Sequence, residues 1–277
     1  MKTKYISIFI ISILFIGCKS DKEQSEPILN ETDIETEIVV EVPSEIDIPN
    51  YYVASDIKIT PVEHASMVIN FNDISIYVDP VGEAIRYAGF KSPTFIIITD
   101  IHGDHLDVKT LEAINTTNSI IIGPQAVKDK LPESLKTNFT VLENGQEKDD
   151  FMNKTSMNIE AIPMYNLREE ALKFHPKGRG NGYVLTINNK RIYISGDTED
   201  IPEMRNLKNI DIALVCMNLP YTMPIESAAD AVLAFQPKTV LPYHYRGTKG
   251  FSHVESFKKR INDRNKSIEV IQLDWYK

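Results

Sequence analysis

Short apolar runs rich in β-branched residues recur along the chain from Tyr51 onward, which is typical of strands buried in a sheet. Two pairs of neighbouring runs are separated only by Asn72-Asp73 and Asn188-Asn189, and these residues tolerate the positive φ of two-residue hairpin turns. The runs lie at 56–60, 66–71, 74–79, 94–99, 119–123, 157–163, 183–187, 191–195, 211–216, 239–243 and within 268–273. The pattern therefore predicts many short strands, with two hairpins among them.

Helical patterns fill three of the segments between these runs, at 108–114, 225–235 and 252–261. In the second of them, Ala228 and Val232 fall on the same face, as apolar positions four residues apart do in a helix. Hairpins come early and strand–helix alternation comes later in each half of the chain. This order predicts sheets that are covered by helices on their outer faces.

The N-terminal segment follows a different pattern. Lys2 and Lys4 precede an unbroken apolar run at 6–16, and the run ends at Gly17-Cys18, which predicts an export signal. The Gly-Cys ending resembles the lipobox of bacterial lipoproteins. This implies a signal peptide at 1–17, a lipid on the Cys18 thiol and an exported, membrane-anchored protein on the periplasmic or cell-surface side. A plain cleaved signal or an uncleaved N-terminal anchor is the alternative.

Charge is concentrated just after this segment. Residues 19–47 contain ten acidic side chains and two basic ones, which predicts a solvated tether over 18–52, although an edge strand at 31–38 is an alternative. The chain has a net charge of −9 and no basic stripe, which argues against a nucleic acid as partner. Its 277 residues are 42% hydrophobic and include only two cysteines, so a disulfide scaffold is excluded and a globular body is expected.

Potential metal ligands are concentrated after the apolar run at 94–99. Within six residues the chain carries Asp100, His102, Asp104 and His105, on a loop that a buried strand would hold in place. Neutral imidazole nitrogens and anionic oxygens are the ligands that zinc-type ions prefer. A polar loop with incidental histidines is the alternative.

Three further candidate ligands occur downstream and favour the metal site over that alternative. His175 lies in FHPKGRGNGY, Asp197 in ISGDTED and His244 in LPYHYRG, and the last two follow apolar runs. Side chains at the ends of adjacent strands meet at one sheet edge.

The order of these motifs resembles the metallo-β-lactamase superfamily: HxDH, then GDT after a strand, then a strand-borne histidine near the C terminus. EHASMVI, the Asp79-Pro80 pair and YTM before a helix of small residues resemble its branch related to L-ascorbate-6-phosphate lactonase. The resemblance covers roughly residues 56–272. It implies an α/β (α+β) fold of the αββα sandwich type over a domain at 53–277. It also implies one or two metal ions and a metal-bound hydroxide as nucleophile.

The resemblance also implies two sets of ligands. The first set is complete and consists of Asp104, His105, Asp197 and His244, with Asp104 and Asp197 in catalytic roles. The second set would use His102 and Asp197, together with Asp100 and His175. Asp100 replaces the first histidine of the family's HxHxDH motif. Asn166 occupies the position of its middle histidine, and His175 is the substitute that we predict.

For two further residues we predict a role in orienting the ligands, and for a third we predict no role in the chemistry. His64 and Asp79 are predicted to orient ligands from outside the two sets, with a hydrogen-bonded residue that merely closes a strand as the alternative. Cys216 lies in an apolar run, which predicts a buried, inert thiol rather than a nucleophile.

The sequence thus predicts a metal-dependent hydrolase that acts on an ester, lactone or phosphodiester-type bond of a small-molecule or lipid-type substrate. Zinc is the expected metal, with manganese or iron as alternatives. The competing hypothesis is a metal-binding or ligand-binding lipoprotein that has lost catalysis, because the replacements at 100 and 166 would permit such a loss.

The lipid anchor is tested by Cys18→Ser, which removes the thiol that would carry the lipid. We expect this variant to be released into a soluble fraction or to keep its signal uncleaved, because acyl chains hold a protein at a bilayer through buried CH₂ groups. Membrane fractionation with mass determination of the N terminus measures both outcomes. A cleaved Cys18→Ser protein that still fractionates fully with membranes would contradict the prediction.

Overall fold

The computed structural model describes residues 50–114, 116–149 and 157–276. The predicted signal at 1–17, Cys18 and all but the last residues of the predicted tether at 18–52 lie outside these ranges. Within them, the helices are all too short or too polar to cross a membrane.

The first half of the described chain forms a seven-stranded sheet with the strands in sequence order. Strands β1 to β4 are antiparallel, and β4 to β7 are parallel. Its strands are β1 (Tyr52–Ala54), β2 (Ile57–Glu63), β3 (Ser66–Phe71), β4 (Ile74–Val78), β5 (Phe95–Ile97), β6 (Ile120–Gly123) and β7 (Phe139–Val141).

The second half repeats this plan. Its strands are β8 (Glu147–Asp149), β9 (Met157–Met164), β10 (Gly180–Ile187), β11 (Lys190–Ile194), β12 (Ile212–Cys216), β13 (Thr239–Tyr243), β14 (Arg246–Gly247), β15 (Gly250–Phe251) and β16 (Glu269–Val270). A seven-stranded sheet has the order β16-β13-β12-β11-β10-β9-β8, and β14 with β15 forms a small ribbon. Strands β8 to β11 are antiparallel, whereas β11, β12, β13 and β16 are parallel.

Helices connect the parallel strands. They are α1 (Val108–Ala113), α2 (Gln125–Lys130), α3 (Glu133–Lys136), α4 (Pro202–Arg205), α5 (Ile225–Phe235) and α6 (Val254–Asn262), and single 3₁₀ turns lie at Ala84–Tyr87 and Glu169–Ala171. The three predicted helices correspond to α1, α5 and α6. The predicted hairpins are also present, with Asn72, Asn188 and Asn189 at positive φ.

The alternation of side chains between the two faces of each strand explains the layers of sheets and helices. In β5 and the residue after it, Phe95 and Ile97 belong to the large apolar core that includes residues of both sheets, whereas Ile96 and Ile98 pack with Leu111 of α1 in a separate cluster. Side chains of a strand point alternately to its two faces, so each sheet can bury one face against the other sheet and one against helices. The αββα sandwich predicted from the sequence is confirmed.

Some strands have no matching apolar run in the sequence. Strands β1 and β8 are three-residue edge strands; β1 (YVA) is too short to stand out as a run, and β8 (EKD) is charged and fully exposed. Strand β10 begins at Gly180 rather than at 183, because Gly180 and Gly182 pair with Met164 and Ile162 of β9. These two glycines lie inside the sheet.

Gly182 lies where two backbones approach closely. A Cβ atom there would be 2.8 Å from the Ser195 carbonyl oxygen and 2.9 Å from that of Ile194, and backbone atoms of a central strand cannot easily move aside. We expect Gly182→Ala to lower the free energy of unfolding by about 1–3 kcal/mol, the usual cost of overpacking. Urea denaturation measures this. Gly89→Ala is the control, since a Cβ there meets nothing within 4 Å; equal effects of the two changes would contradict the argument.

Candidate metal centre

The candidate ligands lie just beyond the C-terminal ends of strands or in adjoining loops. Asp100 and the residues up to His105 follow β5, Asp197 follows β11 and His244 follows β13 directly. Strands β11 to β13 are parallel, so their carboxyl ends share one edge of the sheet. The fold therefore brings together residues that are up to 144 positions apart along the chain.

Asp104, His105, Asp197 and His244, which form the first set, converge on one point. His105 Nε2 lies 3.2 Å from His244 Nε2, 3.4 Å from Asp197 Oδ2 and 3.9 Å from Asp104 Oδ1. His244 Nε2 lies 3.0 Å from Asp197 Oδ1 and 3.5 Å from Asp104 Oδ2. Ligands about 2.0–2.1 Å from a tetrahedral zinc-type ion are separated from one another by roughly 3.3 Å. The mutual spacing of donor atoms of His105, Asp197 and His244 thus fits a single ion, and Asp104 lies within 3.9 Å of both histidines.

Burial and charge support the same interpretation. His105 and His244 are fully buried and Asp197 is 2% exposed, and among the described residues Asp197 Oδ1 accepts no well-aligned hydrogen bond, although His244 Nε2 lies 3.0 Å from it. A carboxylate is costly to bury without a partner, and a divalent cation would provide one. The donor set therefore fits a metal ion.

The charges within and beside the first set shift the pKa values of its members. Burial by itself raises the pKa of Asp197, but the neighbouring His244 and His105 outweigh it and hold that pKa well below its ordinary value. Burial lowers the pKa of His105, but the carboxylates of Asp197, Asp79 and Asp104 outweigh it and raise that pKa well above the ordinary value. The region is thus rich in negative charge and favours cations.

Asp79 holds His105 in place. Its carboxylate accepts hydrogen bonds from the Thr99 amide at 2.7 Å, from Thr99 Oγ1 at 2.6 Å and from His105 Nδ1 at 2.8 Å. Because Nδ1 donates to Asp79, Nε2 is the nitrogen that faces Asp197 and remains available for an ion. Asp79 thus hydrogen-bonds His105 from outside the two sets, and its role in orienting a metal ligand stays a prediction.

His64 contacts the other side of the first set. Its Nε2 lies 3.4 Å from Asp104 Oδ2, and its Nδ1 lies 2.9 Å from the Tyr276 hydroxyl and 3.3 Å from His244 Nδ1. The Tyr276 oxygen accepts hydrogen bonds from the Tyr245 and Arg246 amides, so its own proton is free for His64. Through these contacts His64 links Asp104 and His244.

Three of these residues have unusual backbone conformations. His64, Asp79 and His244 have φ values of 54°, 44° and 46°, in the left-handed region that residues other than glycine rarely adopt. Such strain is concentrated at functional sites, where the surrounding structure maintains it.

Asp100, His102 and His175 form a second set beside the first. Asp100 Oδ2 lies 2.7 Å from His102 Nδ1 and 3.8 Å from His175 Nε2, and His175 Nε2 lies 3.2 Å from Asp197 Oδ2. His175 Nε2 is buried and has no hydrogen-bond partner among the described residues. Asp197 adjoins both sets, as a bridging ligand would.

The loop between β9 and β10 brings His175 to this position. The Asn166 amide donates to the His175 carbonyl oxygen at 2.9 Å, so the loop closes on itself across nine residues. His175 Nδ1 and Asn166 Nδ2 both donate to the Tyr221 carbonyl oxygen. Asn166 is thus used to secure the loop, while the imidazole of His175 points towards Asp197 and lies with its ring centroid 5.1 Å from that of His102.

Some residues near the centre were not predicted from the sequence. The Asn218 amide nitrogen lies 3.2 Å from His244 Nε2, and Thr99 and Tyr276 orient ligands as described above. Asn218 directly precedes the LPYTM segment, and this position is the only local feature of the sequence that could have indicated its place near the centre. The buried thiol of Cys216 is as predicted, and burial raises its pKa to about 12.

Comparison with known proteins agrees with this geometry. Residues 58–244 match the family described as the β-lactamase superfamily domain. The chain belongs to this superfamily. The prediction of the metallo-β-lactamase superfamily is thereby confirmed, whereas the branch related to L-ascorbate-6-phosphate lactonase is not among the findings.

Individual superfamily members are similar over most of the body. A relative from Pyrococcus furiosus, named a metal-dependent hydrolase, is 28% identical over 224 residues, which are 76% of this chain and 95% of the relative. The crystal structure of a candidate metal-dependent hydrolase from Parabacteroides distasonis is 38% identical, with a TM-score of 0.69, and the match covers 79% of this chain and 94% of that one. The metallohydrolase Igni18 from Ignicoccus hospitalis, at 20% identity and a TM-score of 0.67, shares the fold over 80% of this chain and 96% of its own. The relatives from Pyrococcus furiosus and Parabacteroides distasonis confirm the prediction of an enzyme of the metal-dependent hydrolase class.

The first set is tested by removing one of its ligands. We expect His244→Ala to retain less metal than the wild type, because three donors close a tetrahedral site less well than four. Elemental analysis after dialysis gives the metal content. His253→Ala is the control, since His253 only caps α6; if His244→Ala and His253→Ala retain the same metal as the wild type, His244 is not a ligand.

Proposed function

We propose that this metal-dependent hydrolase cleaves an ester, lactone or phosphodiester-type bond of a small-molecule substrate at an ion held by Asp104, His105, Asp197 and His244. The observation that carries the proposal is the cluster of His105, Asp197 and His244 at a buried sheet edge, with Asp104 beside both histidines and the carboxylate oxygens 3.0–3.9 Å from the histidine nitrogens. A second ion would use Asp100, His102 and His175, with Asp197 between the two.

Zinc is the metal that we propose, because two imidazole nitrogens and two carboxylate oxygens are typical zinc ligands. Manganese or iron would accept the same donors. When bound, such an ion activates water for attack and stabilises negative charge that develops on the substrate.

The protein supplies the positioning. Asp104 is the exposed member of the first set, with 42% of its side chain accessible, so we assign it the role of orienting the attacking water and holding its proton. His64 adjoins Asp104 Oδ2 and would keep that carboxylate oriented. Asp197 is buried between the two sets and would fix their separation.

Apolar side chains near the loop that carries His175 support a substrate with an apolar portion. Leu167, Leu172, Leu219 and Tyr221 are 38–49% exposed, and the Tyr221 carbonyl oxygen is the acceptor for His175. A lipid-type substrate belongs to this class. Export and anchoring through Cys18 would place the enzyme at a membrane surface, and this localisation rests on the N-terminal sequence alone.

A non-catalytic lipoprotein is the less favoured function. The replacements at 100 and 166 were its basis, but His175 lies beside Asp197 and the first set lacks no ligand. Relatives that span the same region are named hydrolases.

Activity is tested with aryl esters, lactones and aryl phosphodiesters, on chelated protein and on protein reloaded with zinc, manganese or iron. We expect one substrate class to be hydrolysed only after reloading, and Asp104→Asn to lower kcat about 10²–10⁴-fold, the usual contribution of a group that handles a proton.

Asp107→Asn is the matched control, because Asp107 lies three residues further along the loop and caps α1, a role that asparagine fills equally well. We expect it to keep wild-type kcat. If the reloaded wild type hydrolyses none of these substrates, the non-catalytic function becomes the better conclusion.

A further inference from the structure

Arg179 closes over the second set from the start of β10. Its Nε donates to Asp100 Oδ1 at 3.1 Å, and its Nη2 donates to Asp100 Oδ2 at 3.0 Å and to the Phe174 carbonyl oxygen at 2.5 Å. Nη2 also lies 3.4 Å from His102 Nε2. One guanidinium group thus contacts two members of the second set.

Arg179 forms a bidentate ion pair with Asp100, and this pair is shielded from solvent. The Asp100 side chain has no exposed surface, and that of Arg179 is only 19% exposed. A planar guanidinium matches both oxygens of a carboxylate at once, which fixes the orientation of the carboxylate as well as its charge. Asp100 therefore has little freedom to rotate.

The two oxygens of Asp100 face different surroundings. Oδ1 contacts only Arg179 Nε among these groups, whereas Oδ2 accepts from Arg179 Nη2 at 3.0 Å and also faces His102 Nδ1 at 2.7 Å and His175 Nε2 at 3.8 Å. With Arg179 in place, Oδ2 is the oxygen presented to the other members of the set. The buried His175 Nε2, which has no partner among the described residues, points to the same place.

Charge gives a second reason for the pair. Asp100 stands where a neutral histidine would be expected, so it adds a negative charge to a region that already contains Asp104 and Asp197. The guanidinium of Arg179 offsets that added charge. Asp100 and Arg179 together therefore carry the same net charge as one neutral imidazole.

We propose that Arg179 is a positioning residue for metal binding: it holds Asp100 so that Oδ2 ligates the second ion, and it offsets the charge that this aspartate brings. The inference rests on the proposed function in so far as the first set must hold its own ion. It assigns Arg179 no contact with substrate.

Metal binding measures this role directly. Zinc is titrated into metal-free protein by calorimetry, and the retained metal is determined by elemental analysis. We expect two zinc ions per wild-type chain. Arg179→Met should keep the first ion and bind the second about 10–100-fold more weakly, as is usual when a residue that orients a ligand is lost. Arg179→Lys should be intermediate, because lysine restores the charge but not the two-pronged geometry.

A compensating double variant separates this role from a loss of stability. We expect Asp100→His alone to weaken the second ion, since it places an imidazole against the guanidinium. Asp100→His combined with Arg179→Met should regain two ions, because a neutral ligand needs no cation beside it. Arg191→Met is the matched control: it removes another arginine–carboxylate pair, with Glu160, at the opposite end of β11, and should bind two ions normally.

The outcomes are distinguishable. A wild type that binds no zinc would overturn the proposed function, whereas a wild type that binds one ion would overturn this inference alone. The inference also fails if Arg179→Met binds two ions with wild-type affinity, or if the double variant binds the second ion no better than either single variant.

Discussion

The centre depends on the contacts between the buried Asp197 carboxylate and the histidines around it. This carboxylate lies 3.4 Å from His105 Nε2, 3.0 Å from His244 Nε2 and 3.2 Å from His175 Nε2, and one of its oxygens accepts no well-aligned hydrogen bond among the described residues. A charge in this position destabilises the fold unless cations or hydrogen-bond donors surround it. The arrangement of imidazoles around Asp197 follows from that requirement.

The two sheets provide the rigidity that this arrangement needs. Strands β4, β5, β11 and β13 end at the centre, and each of them contributes apolar residues to the large core that includes residues of both sheets. A ligand attached to such a strand cannot move without disturbing that core, because protein interiors are closely packed. Asp79 and Thr99 extend this rigidity to His105 through three short hydrogen bonds.

The two ligand sets differ in how their charge is arranged. In the first set, among the described residues, histidines are the only basic side chains that contact Asp104 or Asp197. In the second set, Asp100 is already paired with Arg179. Arginine stays charged at every accessible pH, so Arg179 keeps its positive charge beside Asp100 over that whole range.

The apolar runs and turn residues of the sequence predicted strands with helices on their outer faces, and the resemblance to the metallo-β-lactamase superfamily implied the αββα sandwich and the types of ligand. The same resemblance led us to predict that His175 substitutes for the histidine missing at 166. Only the tertiary structure decided which groups orient the ligands. Arg179 meets Asp100 across 79 residues, and Tyr276 meets His64 across 212. Contacts at such separations depend on how the sheets stack and where the C terminus returns, which no local pattern records.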